Sequence, residues 1–131
     1  MEQIHWLAVI AAAVSAFVLG GLWYGPLFKT AWCREAGIDP TAPSKQHPAG
    51  VFAIAFLCSL VAAFAFAWFL GAQPALDKAL HAGVMIGLAW VAMSFGINYA
   101  FAQRSLKLWL IDAGYHVLQF TLYGLILGLW H

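Results

Sequence analysis

Four runs of this chain, 4–28, 51–70, 80–101 and 106–130, are each apolar over roughly the length needed to cross a bilayer. A span takes about 20 mostly apolar residues, since the hydrocarbon core is about 30 Å thick and a helix rises about 1.5 Å per residue. No water is present there to satisfy the backbone, so single runs of this kind cross as helices. The chain is 64% hydrophobic and only 8% charged, where a soluble domain carries about a quarter charged residues. The expected fold is therefore all-α: one polytopic membrane domain over 1–131, a bundle of four transmembrane helices whose first partner is the lipid bilayer. A formal net charge of +1 gives no electrostatic case for nucleic acid. The start, Met1-Glu2-Gln3-Ile4-His5-Trp6, is acidic and leads into a span-length run, so the first helix is expected to persist instead of being cleaved as a signal peptide.

The connections add orientation. Between the first two spans lies the one long loop, 29–50, broken by Pro40, Pro43 and Pro48, with room for a short helix over Thr30–Ala36. Spans three and four are joined by so few residues that they must form an antiparallel hairpin. Lys29, Arg34, Lys45, Arg104 and Lys107 fall on one side and Lys78 on the other. The positive-inside rule then places the first and third loops in the cytoplasm and both termini in the periplasm, in a bacterial inner membrane. Trp6, Trp32, Trp68, Trp109 and Trp130 lie near span ends, as interfacial anchors do, while Trp23 and Trp90 lie deeper, where they can pack in the bundle. Small residues crowd spans one and two at Ala11-Ala12-Ala13, Ser15-Ala16, Gly20-Gly21 and Ala62-Ala63, a pattern for close helix packing that extends to a homo-oligomer. Cys33 and Cys58 stand in different environments and are expected as free thiols.

The fourth span carries the residues that call for an explanation. Asp112, His116, Gln119 and Tyr123 follow spacings of four, three and four, so they share one helix face, with Tyr115 beside them. A carboxylate near mid-bilayer costs roughly 2.5 to 3.5 kcal/mol on insertion scales, so it faces protein or water and has a partner. Counting outward from the third turn places Asp112 level with Ser94 to Asn98, and Trp23 and Tyr24 of the first span reach a comparable depth. Tyr24, Ser94, Asn98 and His116 are the candidate donors to Asp112.

Three functions follow from such a cluster. The leading one is a small non-enzymatic membrane protein with proton-linked transport or permeation through Asp112 and His116, since intramembrane ionisable groups mark such paths. The alternative is a structural or partner-binding subunit in which the same groups only fix helix packing. The third is an enzyme acting on a lipid or small molecule with His116 as base and Asp112 orienting it, although no nucleophile motif accompanies them. No cofactor is expected. His5, His81 and His131 near the other span ends are the candidates for a zinc or copper site, and His116 with an outer histidine for haem.

The element Trp23-Tyr24-Gly25-Pro26-Leu27-Phe28, the block Asn98-Tyr99-Ala100-Phe101 with Arg104-Ser105-Leu106, and Ile111-Asp112-Ala113-Gly114-Tyr115-His116 resemble the small prokaryotic membrane family catalogued as domain of unknown function 1761. The resemblance covers almost the whole chain. It implies a compact four-helix membrane protein without an assigned activity, and a shared site at Trp23, Tyr24, Pro26, Asn98, Tyr115 and His116 with Arg104 on the cytoplasmic rim.

Overall fold

The computed structural model describes residues 4–39, 41 and 48–130. Lys45 and His131, used above for orientation and for a metal site, lie outside them. Five helices make up the described residues: α1 (Trp6–Leu27), α2 (Lys29–Ala36), α3 (Pro48–Leu70), α4 (Leu76–Phe101) and α5 (Leu106–Leu129). All but α2 are long and apolar enough to span a membrane. The protein is an all-α, multi-pass membrane protein.

Proline inside α1 neither ends nor simply kinks the helix. Pro26 has no N–H to give and its ring crowds the carbonyl four residues back. The chain answers by widening to a π-helical turn over Trp23–Leu27, closed by the Phe28 N–H on the Trp23 carbonyl at 2.9 Å. A π turn also interrupts α4, at Ile86–Val91. The third span starts at Leu76, four residues earlier than its hydropathy suggests. Pro74 precedes it, Ala75 takes the extended cap conformation, and Asp77 sits in the first turn, where a negative charge favours the helix dipole. Asp77 and Lys78 thus open the helix instead of belonging to a loop. α2 occupies the span expected of it to within a residue and stops at Gly37, whose φ of 74° suits glycine.

Packing is layered, with α5 at the centre. α1 packs on both α3 and α5, α4 lies along α5, and α3 meets α5 only lightly. The α1–α3–α5 core is built of Ala8, Ala12, Ala13 and Ala16 against Ala63, Phe66, Ala67, Tyr123 and Leu127. Lipid tails are as apolar as leucine, so close contact, not exclusion of water, holds such helices together. Ala12, Ala13 and Ala16 of the small-residue runs are buried within this core.

The tightest approach lies elsewhere, between α4 and α5. A Cβ on Gly83 would stand 2.3 Å from the Phe120 carbonyl oxygen, and one on Gly124 2.3 Å from the Ala79 oxygen. Gly87 would meet the Val117 Cα at 2.7 Å. Gly83 and Gly87 on α4, and Gly124 and Gly128 on α5, form two small-xxx-small pairs that bring backbone onto backbone. Trp90, expected to pack inside, is 60% exposed on the outer side of α4.

Candidate functional site

Asp112 is 8% exposed, in the second turn of α5 toward the α2 end of the bundle. The Tyr24 hydroxyl donates to its Oδ1 at 2.5 Å, and the Tyr99 hydroxyl donates to its Oδ2. One carboxylate therefore joins three helices through two phenols. Helical side chains lean toward their own N-terminus. Tyr24 on α1 and Tyr99 on α4 consequently lean away from the α2 end, while Asp112 on the antiparallel α5 leans toward it, and the three converge.

Neighbouring groups secure Tyr24. Its ring packs against Trp32 of α2 at 5.1 Å and against Tyr115 at 5.6 Å. Trp23 donates from Nε1 to the Ile111 carbonyl at 2.8 Å. Adjacent residues on an α-helix diverge by about 100°; the wider π turn around Pro26 reduces that angle, so that Trp23 and Tyr24 both reach α5. Gly114 makes the approach possible, since a Cβ there would lie 3.1 Å from the Trp23 ring. Tyr115 donates to the Ala16 carbonyl at 2.9 Å, a further tie between α5 and α1.

His116 does not bond to Asp112. Its ring stacks on Phe95 with centroids 4.8 Å apart, and its Nδ1 pairs with Gln119 Oε1 at 2.5 Å. An amide oxygen only accepts, so Nδ1 carries the proton. The Gln119 amide then donates to the Tyr123 hydroxyl at 2.8 Å, Tyr123 lies 2.6 Å from Ser59 Oγ, and Ser59 Oγ donates to the Ala13 carbonyl at 3.2 Å. The Tyr123 hydroxyl also donates to the Ser59 main-chain carbonyl at 3.1 Å, and either hydroxyl can supply the proton between Tyr123 and Ser59 Oγ. This thread fastens α5 to α3 and α1 in the α1–α3–α5 core.

Ser94 and Asn98 are exposed on α4 and neither donates to Asp112. Both were expected as its partners; the residue that serves is Tyr99, one place beyond Asn98. Arg104 donates from Nη2 to the Ala36 carbonyl at 3.3 Å, and Ser105 Oγ donates to Glu35 Oε1 at 2.6 Å, clasping α2 to the start of α5. The Ser105 bond, with Arg34 and Lys107 nearby, holds the Glu35 carboxyl below its ordinary value. His5 caps α1 by accepting from the Ala8 N–H at 3.4 Å and packs edge-on to Trp130, and His81 is exposed on α4. Among the described residues no three His, Cys, Asp or Glu side chains gather as a metal site. Cys33 is buried and Cys58 exposed, both as free thiols.

The model of the family described as protein of unknown function (DUF1761) matches residues 7–128. The chain belongs to that family. Neither the curated proteins nor the solved structures include a match to it. The match runs from α1 through α5 and takes in every residue of the Asp112 cluster and of the Ser59 thread. This DUF1761 chain is thus a membrane protein of an uncharacterised family. Three parts of its polar framework escaped sequence reasoning: Tyr99, Ser59 and the Glu35–Ser105 clasp. Tyr99 had a signal, as the long polar side chain next to Asn98 in the block that carries the resemblance. Ser59 had none beyond being a lone hydroxyl in an apolar run.

Proposed function

We propose that this DUF1761 protein is a non-enzymatic membrane scaffold whose buried polar groups lock its own helices and leave its outer faces to a partner within the bilayer. The observation that carries this reading is the pairing of both Asp112 oxygens: each receives a hydroxyl from a different helix. A proton path needs members that both take and pass on a proton. The His116 thread instead runs through an amide and ends on the Ser59 and Ala13 carbonyls, which have no proton to pass. Interhelical hydrogen bonds of this kind contribute on average about 0.6 kcal/mol each in membranes, and several acting together suffice to fix helix rotation. The faces left over support the partner-binding side: the apolar windows of α3 and α4 are each 17% buried, against 39% for α5.

The basic residues support an orientation. Lys29, Arg34, Arg104 and Lys107 lie at the α2 end of the bundle and Lys78 near the start of α4 at the other, so the α2 end is cytoplasmic and both termini are periplasmic in a bacterial inner membrane. The test of the scaffold reading is proton flux in proteoliposomes carrying a pH-sensitive dye. Wild-type protein should dissipate an imposed pH gradient no faster than empty vesicles. Flux above that background, lost in Asp112→Asn, would replace the scaffold with a proton pathway.

A further inference from the structure

We propose that Arg34, Arg104 and Lys107, at the junction of α2 and α5, form a headgroup site for an anionic phospholipid whose acyl chains lie along the exposed flank of α5. Three observations place the cations together. Arg104 reaches from the α4–α5 turn to the last carbonyl of α2. Arg34 lies 3.6 Å from Glu35, and both Arg34 and Lys107 act electrostatically on that same carboxylate. Glu35 is itself bound by Ser105 from the start of α5. It offsets one of the three charges, leaving the junction with an excess of two. The positive end of the α5 dipole points at the same place and adds to the attraction for an anion.

The surface next to these charges decides the class of anion. Arg34, Arg104 and Lys107 are all exposed. Directly beside Lys107, Leu106 is 70% and Leu110 56% exposed, one turn apart on the same flank of α5, and Phe101 at the end of α4 is 87% exposed. A soluble anion has no use for that apolar strip, whereas a phospholipid presents a phosphate to the cations and chains to the leucines. Basic clusters where helices leave the membrane attract acidic lipids by about 1 kcal/mol per Lys or Arg. The site shares no residue with the Asp112 cluster and stands whether or not the scaffold reading does.

Native mass spectrometry of the full chain in detergent, titrated with phosphatidylglycerol and with phosphatidylcholine, tests the proposal. Phosphatidylglycerol should bind wild type more tightly than phosphatidylcholine does. Arg104→Gln combined with Lys107→Gln should weaken phosphatidylglycerol by about 30-fold, while Lys78→Gln, at the other end of the bundle, leaves it unchanged. Equal binding of the two lipids by wild type overturns the proposal without reference to any variant. So does wild-type phosphatidylglycerol affinity in the double variant, or a loss in Lys78→Gln as large as in that variant.

Discussion

One methyl group at Gly83 should part α4 from α5. The added carbon would sit 2.3 Å from the Phe120 oxygen and 2.9 Å from the Phe120 carbonyl carbon. Non-bonded carbons are comfortable from roughly 3.5 Å, so the two main chains would have to separate by about 1 Å. A side chain could rotate aside; a carbonyl inside a helical ladder cannot. The cost of overpacking therefore falls near the upper end of its usual range, about 3 kcal/mol. Alanine returns roughly 0.5 to 1 kcal/mol over glycine by stiffening the unfolded chain, leaving a net loss of about 2 kcal/mol. Reversible unfolding of purified Gly83→Ala in mixed micelles, followed by helical circular dichroism, measures it. Gly124→Ala meets the Ala79 oxygen at the same distance and should behave alike, whereas Gly21, with nothing within 4 Å of its would-be Cβ, should accept alanine with no loss. Gly83→Ala within about 0.5 kcal/mol of wild type would refute the backbone contact, since that is the scatter of substitutions that touch nothing.

Three further outcomes are expected. Tyr24→Phe and Tyr99→Phe each remove one donor from Asp112 and should each cost about 0.6 to 2 kcal/mol, the range for interhelical bonds in membranes, with a coupling of at least about 0.5 kcal/mol in the double variant because they share one carboxylate; strict additivity would deny the sharing. The Glu35 carboxyl lies below its ordinary value of 4.5 when α2 is docked, so its contribution is complete above that value and is lost as pH falls through the lower, docked one. The fluorescence of Trp32 should accordingly report loosening of α2 with an acid midpoint under 4.5, and Glu35→Ala should expose the buried Cys33 to faster alkylation at neutral pH; alkylation at the wild-type rate would mean that the clasp does not hold α2.

The placing of four spans, the short helix before the proline-rich loop, and the common face of Asp112, His116, Gln119 and Tyr123 were all legible in the chain. These depend on hydrophobic length and on helical periodicity, which are local properties that a single run of residues carries by itself. The meeting of Tyr24 with Asp112 was legible for a related reason, since depth can be counted along a helix from its turn. What a helix faces cannot be counted in the same way. Rotation and approach are set by which surfaces allow backbones to close, and here Gly83, Gly87, Gly124 and Gly128 draw α4 onto α5 while π turns in α1 and α4 alter the angle between successive side chains. That geometry turned Ser94 and Asn98 outward and brought Tyr99 to the carboxylate. The polar residues announced that they needed partners; the packing of small residues chose which ones.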